Sequence, residues 1–138
     1  MSKNAEVELK LPVIPDIELS ATKTAEVISK HMSLSEEKTG EISMAIIESC
    51  INAFEHSKTK EIYIHFIVSE EKLTVKVIDK GQGFDKSKVE IPNIDEKLGS
   101  DYKRGWGLKL IEELMDSVEF ESSGSGTTVT MTKNKDDN

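Results

Sequence analysis

LTVKVIDKGQGF, residues 73–84, decides the fold, because an alternating apolar strand ends there in an acidic residue and two glycines. Glycines directly after a strand remove side chains where a flat ligand could lie against the backbone. A second glycine pair, in GWGL at residues 105–108, stands at the predicted start of a helix. Free N–H groups at a helix start favour phosphate oxygens. The two blocks together predict a nucleotide site.

Three polar side chains upstream recur at helical spacing. Glu48, Asn52 and His56 stand four residues apart in a predicted helix, so a carboxylate, an amide and an imidazole share one face. The carboxylate is a candidate base and the amide is a candidate metal ligand. Alone, Glu48 or Asn52 would be an ordinary solvated residue. His56 fits a helix cap or a packing residue as well as it fits a ligand contact.

The composition is that of a globular protein with a single domain. The chain has 138 residues, of which 36% are hydrophobic and 32% are charged. A chain of this length can form a stable hydrophobic core without disulfides or a structural metal. A net charge of -8 argues against direct nucleic-acid binding, which favours a basic face. Lys103, Arg104 and Lys109 form a local basic cluster beside the second glycine pair, although a solvated loop would look the same.

Cysteine content and hydropathy indicate the compartment. Cys50 is the only cysteine, so no intrachain disulfide can form and a reducing compartment is expected. The N-terminus has no apolar signal region, and no run approaches the ~18 apolar residues of a membrane span. We therefore expect a cytoplasmic protein without membrane association.

Hydrophobic periodicity predicts the order β-α-α-β-β-lid-α-β-β. The segments are a strand at 7–11, a helix at 16–31, a helix opened by a capping box at 33–36 and ending near 57, strands at 62–68 and 73–78, a lid at 85–104, a helix at 107–115, and strands at 118–121 and 127–132. Residues 133–138 read as a polar tail of the single domain 1–138.

Short hairpin connections predict the fold class. They favour an α+β, two-layer α/β sandwich, in which a mixed, mostly antiparallel sheet carries its helices on one face. The chain has no GxxxxGK[ST] segment, which argues against a Walker-type nucleotide site.

Four motifs, in this order, resemble the GHKL ATPase superfamily, whose ATP-binding domain has the Bergerat fold. They are Glu48-Ser-Cys-Ile-Asn52-Ala-Phe-Glu-His56, Asp79-x-Gly81-x-Gly83, Gly105-x-Gly107-Leu108 and Gly126-Thr127-Thr128. The short chain and the ExxxNAxxH form most resemble the bacterial anti-sigma factor serine kinases. The resemblance runs from the first strand to about Met131.

The resemblance implies a role for each polar residue of the site. Asn52 would bind Mg²⁺, whose other ligands would be phosphate oxygens and water. Glu48 would orient or deprotonate an attacking hydroxyl group. Asp79 would accept a hydrogen bond from the adenine amino group, although an acidic residue that ends a strand is also a common turn residue.

The resemblance also assigns the glycines and threonines. Gly81 and Gly83 would let the adenine ring approach the backbone. Thr127 and Thr128 would support Asp79, although threonine also simply favours strands.

The second glycine pair would meet the phosphates. Gly105 and Gly107 would offer N–H groups, and Lys103 or Arg104 would add positive charge. Trp106 would cover the nucleotide or face a partner, and Leu108 completes the motif.

The activity implied is that of an ATP- and Mg²⁺-dependent serine/threonine protein kinase. It would phosphorylate a small anti-anti-sigma antagonist and switch partners, with a sigma factor as a second candidate partner and a homodimer as the expected assembly. The lid would order over the γ-phosphate. The alternative is a non-catalytic regulator that senses ATP or ADP. An arginine expected in the first helix falls near Thr22 here, beside Lys23, which leaves the partner's identity open.

Overall fold

The computed structural model describes residues 5–56, 60–80, 100–123 and 126–136, with residues 56 and 100–106 described by their backbone alone. Gly81, Gly83 and the first part of the predicted lid, residues 85–99, lie outside the described residues.

The described elements follow the predicted order, which is confirmed. They are β1 (Ala5–Pro12), α1 (Glu18–His31), α2 (Glu36–His56), β2 (Glu61–Val68), β3 (Lys72–Asp79), α3 (Ser100–Leu114), β4 (Ser117–Ser123) and β5 (Gly126–Asn134).

The strands form one sheet in the order β1-β2-β3-β5-β4. Every neighbouring pair among the described strands is antiparallel, so the sheet is not mixed. Short hairpins join β2 to β3 and β4 to β5, and the return of the chain through α3 places β5 beside β3. The predicted α+β two-layer class is confirmed.

The core lies between one face of the sheet and the helices. Alternate residues of β2 and β3 are buried, as the period-two pattern predicts: Ile62, Ile64, Phe66, Leu73, Val75 and Val77. The apolar stripe predicted for α2 is also buried: Ile42, Ala45, Ile46, Ser49, Cys50 and Ala53. Both α1 and α3 pack against α2, which makes α2 the central helix of its layer.

The start of α2 differs from the predicted capping box. Ser35 is the capping residue, because its Oγ accepts a hydrogen bond from the backbone N–H of Lys38 at 3.1 Å. Ser33 instead adopts a positive φ of 60° in the turn that precedes the helix.

The start of α3 was predicted wrongly. The helix begins at Ser100, so Gly105 and Gly107 lie inside it rather than at its N-terminus. Backbone N–H groups inside a helix bond to the carbonyl four residues earlier, so this pair does not supply free N–H groups. The low helix propensity of glycine suggested that the helix begins at this pair. Packing of the buried Leu108 and Ile111 instead stabilises a helix that includes both glycines.

The last strand is longer than predicted. β5 continues to Asn134, so Lys133 and Asn134 belong to the sheet and not to the polar tail. Lys133 is buried, at 5% exposure, because it falls on the inward-facing alternation of β5.

Candidate active site

Glu48 and Asn52 lie on the side of α2 that meets α3. A Cβ built at Gly107 would stand 2.6 Å from Glu48 Oε1 and 2.7 Å from Asn52 Nδ2, closer than real Cβ atoms approach. The backbone of α3 therefore rests directly on these two side chains, and glycine is the residue that permits it. The predicted grouping of Glu48, Asn52 and Gly107 is present.

Asn52 is buried and incompletely bonded. Its side chain is 6% exposed, and its Nδ2 has no hydrogen-bond partner among the residues that the structure describes. Buried polar atoms are nearly always paired, and an unpaired one signals strain or a missing ligand. The Nδ2 atom is therefore a hydrogen-bond donor that no described residue pairs.

Glu48 is a perturbed carboxyl group beside that amide. Partial burial, followed by the negative charge of Glu55, raises the pKa of Glu48 above its ordinary value of 4.5. A carboxylate with a raised pKa is a stronger base than a solvated one.

Asp79 ends β3 at the edge of the core. Its side chain is 4% exposed, and its backbone is paired with Ile62 on one side and Thr127 on the other. A cleft of about 440 Å³ opens here, lined by Ile78, Asp79, Lys80, Glu121, Ser122, Ser123, Gly126, Thr127 and Thr128. That volume lies within the range of small-molecule pockets.

Gly126 brings β5 against the end of β3. Its φ is +146°, and a Cβ there would collide with the carbonyl oxygen of Asp79. Thr127 is 3% exposed, and its hydroxyl lies 3.2 Å from the hydroxyl of Ser122. Thr128 also lines the cleft, but it lies on the opposite face of the sheet from Thr127, because buried and half-buried residues alternate along β5.

A cation stands at the mouth of the cleft. Lys80 Nζ lies 4.7 Å from the centre of the Tyr63 ring, and the Tyr63 hydroxyl donates to Glu61 Oε1 at 2.5 Å. That hydrogen bond is the main cause that lowers the pKa of Glu61. Lys80 is therefore held against Tyr63 of β2, on the outer face of the sheet.

The other predicted site residues are placed less fully. His56 is the last residue of α2, and Lys103, Arg104, Gly105 and Trp106 lie in the first half of α3. Leu108, also in α3, is buried. Within the part of the chain that is described, the lining of the cleft includes none of the α2 residues, so the structure gives two separate groups, at Gly107 and at Gly126.

Thr22 does not replace the expected arginine at the surface. It is buried, and its hydroxyl donates to the carbonyl of Leu19 at 3.0 Å. The adjacent Lys23 is exposed and pairs with Glu26 at 3.3 Å. Of these two residues, Lys23 is the one exposed at the surface.

Sequence reasoning missed the structural roles of Gly126 and Lys133. Gly126 stood in a quoted motif, and a glycine that opens a strand after SGS is itself a signal of close backbone approach. Lys133 gave no signal, since a lysine near the end of a chain usually belongs to a solvated tail.

The residues present fit a magnesium ion bound with a nucleotide. Among the described residues there is no group of three His, Cys, Asp or Glu side chains that would form a cage for a metal. Mg²⁺ commonly takes one or two protein oxygens and completes its shell with phosphates and water. The side-chain oxygen of Asn52, beside the Glu48 carboxyl group, is a ligand atom of the kind that such a shell takes.

A family comparison decides the identity. The histidine kinase-like ATPase domain matches residues 16–133. The chain belongs to this family. Membership implies that the protein uses ATP, and it confirms the resemblance recognised from the four motifs.

Curated relatives narrow the assignment. The serine-protein kinase RsbW of Bacillus licheniformis is 34% identical over 92% of this chain and 84% of its own length. The serine-protein kinase RsbW of Bacillus subtilis is 32% identical over 96% of this chain and 88% of its own. Within the histidine kinase-like ATPases, the chain therefore belongs with the RsbW serine-protein kinases.

A solved structure supports the fold. The RsbU and RsbW domains of a Mycobacterium tuberculosis protein superpose with a TM-score of 0.69 at 19% identity, covering 94% of this chain and 32% of that one. This likeness shows a shared fold. Among the described residues, no helix combines the length and the apolar character needed to cross a bilayer.

Proposed function

We propose that the chain transfers the γ-phosphoryl group of ATP to a serine or threonine of a small anti-anti-sigma antagonist, and so acts as the kinase of a partner-switching pathway. The observation that carries the proposal is that the buried amide of Asn52 and the half-buried carboxyl group of Glu48, whose pKa is raised by partial burial, lie together against Gly107. A metal ligand next to a base is the arrangement that phosphoryl transfer needs.

Each residue of the pair has a separate role in the proposal. Asn52 would hold Mg²⁺ through its side-chain oxygen, and the ion would neutralise charge on the phosphates. Glu48 accepts the proton of the acceptor hydroxyl as that oxygen bonds to the γ-phosphorus and the bond to the ADP oxygen breaks. ADP leaves, and the phosphorylated antagonist carries the new ester.

The cleft at the end of β3 would hold the adenine. Asp79 would accept a hydrogen bond from the exocyclic amino group, a donor that guanine lacks at that position, and Thr127 lies directly opposite on β5. A buried carboxylate discriminates between the bases here, since guanine presents a carbonyl oxygen, which is also an acceptor, at that position.

The partners belong to the same proposal. The antagonist is the phosphoacceptor, a sigma factor is the alternative partner of the unphosphorylated state, and the protein works as a homodimer in the cytoplasm. Lys23, exposed on α1, is the cationic residue that stands nearest to the position of the missing arginine.

Calorimetric titration tests the nucleotide site first. ATP is titrated with magnesium and with EDTA, and GTP is the control. Magnesium-dependent, adenine-selective binding is expected, and a failure to bind either nucleotide would overturn the proposal.

The transfer itself is tested by intact mass. The chain is incubated with MgATP and a candidate antagonist protein, and a gain of one phosphoryl group by the antagonist is expected. Glu48→Gln is the matched control, since it retains the shape of the side chain but cannot accept a proton. Nucleotide binding without transfer to any antagonist would instead support the alternative of an ATP- or ADP-sensing regulator.

A further inference from the structure

Lys133 is a buried cation that joins three elements. Its Nζ donates to the carbonyl oxygen of Leu114 at 2.6 Å and lies 2.9 Å from Glu41 Oε1. Lysine is almost never buried unless it is paired. The side chain therefore links β5, where it originates, with the end of α3 and the first half of α2.

The Leu114 carbonyl is the last of α3, and the partial negative charge of the helix gathers there. The last turn of α3 contains no basic residue of its own. Lys133 supplies the missing cation from the neighbouring strand, where it satisfies a carbonyl that has no partner inside the helix.

The contacts of Lys133 with Glu41 and Leu114 lie at the same distance along both helices from the contact of Gly107 with Glu48. Glu41 precedes Glu48 by seven residues on α2, and Leu114 follows Gly107 by seven residues on α3. Seven residues make two turns and rise about 10 Å. Because Gly107 meets Glu48 while Leu114 is bridged to Glu41, the two helices run antiparallel in matched register.

We infer that Lys133 is a positioning residue, which fixes the register of α3 on α2 and so seats Gly107 against Glu48 and Asn52. The inference rests on the proposed function of those two residues. The backbone at Gly107 lies directly against Glu48 and Asn52, so a displacement of α3 along α2 would change the space beside the Asn52 amide. Asp79 and its cleft lie on the sheet, and Lys133 does not line that cleft.

The test compares two ligands of one protein. Lys133→Met removes the charge and both contacts but retains an unbranched apolar side chain. We expect the variant to bind MgATP at least about fivefold more weakly than wild type, because it loses two charged hydrogen bonds that position α3. ADP in EDTA measures binding at the adenine cleft alone. Its affinity should stay within about twofold of wild type, because the lost hydrogen bonds are remote from the base. Lys135→Met, an exposed change of equal charge, should alter neither affinity.

A second variant avoids reliance on one substitution in the core. Glu41→Gln leaves an acceptor for Lys133 Nζ but removes the charge, so it should weaken MgATP binding in the same direction and by less. Both variants are titrated well below their melting temperatures, where a purely structural role leaves the ratio of the two affinities unchanged.

The outcomes separate the two proposals. If wild type binds neither ligand, the proposed function fails. If wild type binds both and the affinity ratio of Lys133→Met equals that of wild type, the positioning role is overturned while the proposed function stands. If Lys133→Met does not fold, an unchanged ratio in Glu41→Gln overturns the positioning role.

Discussion

Gly126 lies so close to Asp79 that a side chain at residue 126 would collide with the Asp79 carbonyl oxygen. The contact joins the first residue of β5 to the last residue of β3. A residue with a side chain would force the strands apart at the point where Asp79 lines the cleft. The glycine therefore determines how the carboxylate assigned to adenine is presented.

Gly126→Ala should destabilise the protein by about 1–3 kcal/mol, because alanine is strained at a φ of +146° and its methyl group has no space. Binding of metal-free ADP should weaken with it, since Asp79 would move. Urea unfolding and calorimetry measure the two effects. Gly40→Ala is the matched control: nothing lies within 4 Å of its Cβ position, so this helical site should gain about 0.4–1 kcal/mol. A stable Gly126→Ala protein with wild-type affinity would contradict the assignment.

Gly107→Ala should separate stability from ligand binding. The atoms that its Cβ would meet, Glu48 Oε1 and Asn52 Nδ2, are ends of flexible side chains that can move aside. We expect the unfolding free energy to change by less than about 1 kcal/mol, because alanine also favours the helix. Affinity for MgATP should fall about tenfold, equivalent to about 1.4 kcal/mol. Equal affinity in the variant and wild type would show that the two side chains are not used in the positions seen here.

Much of this arrangement follows from periodicity. The strands of the hairpin at Glu61–Val68 and Lys72–Asp79 bury every second residue, and the α2 stripe buries every third or fourth. Both patterns are local, so they can be read along the chain. The grouping of Glu48 with Asn52 follows from the same helical spacing.

Other features depend on contacts between distant segments. Lys133 is buried because it meets Glu41 and a carbonyl of α3, and neither contact leaves a trace in its neighbours along the chain. The start of α3 was missed because two glycines suggested a boundary, whereas packing against α2 stabilises the helix beyond them. Tertiary contact overrides local propensity at both places.

Asn52→Ala should abolish the magnesium-dependent part of ATP binding while the protein still folds, because it removes the side-chain oxygen assigned to the ion. The cavity left at this buried position costs stability, and removal of the Nδ2 atom, which no described residue pairs, offsets part of that cost. ATP titrations with magnesium and with EDTA should therefore coincide in the variant, and urea unfolding should show a cooperative transition with a loss of less than about 2 kcal/mol. A magnesium effect that persists in the variant would place the ion on another residue.

Cys50 should be inert in the folded protein. It is fully buried in α2, and burial is the main cause that raises the pKa of its thiol to about 12. The thiolate is the reactive form, so little of it exists at neutral pH. An aromatic disulfide reagent should react only after urea is added, with one equivalent of thiol per chain. Rapid reaction of the native protein would show that the helix layer opens readily at α2.

Glu48→Gln should stabilise the protein at neutral pH and not in acid. Burial and the nearby Glu55 raise the pKa of Glu48 in the folded state above its ordinary 4.5, so the folded state favours the protonated form. The contribution of this group to stability is therefore fully present below pH 4.5 and is lost as the pH rises through the folded-state pKa. Glutamine has no charge to bury, so the variant escapes that loss.

Urea unfolding of Glu48→Gln and wild type from about pH 4 to about pH 8 measures this dependence. The difference in unfolding free energy should be small at the acid end and should grow in favour of the variant as the pH rises. Glu70→Gln, an exposed change of equal charge in the β2–β3 turn, controls for net charge and should show no such growth. A difference that is constant with pH would mean that Glu48 is solvated in the folded protein, and its assignment as a base of raised pKa would then be lost.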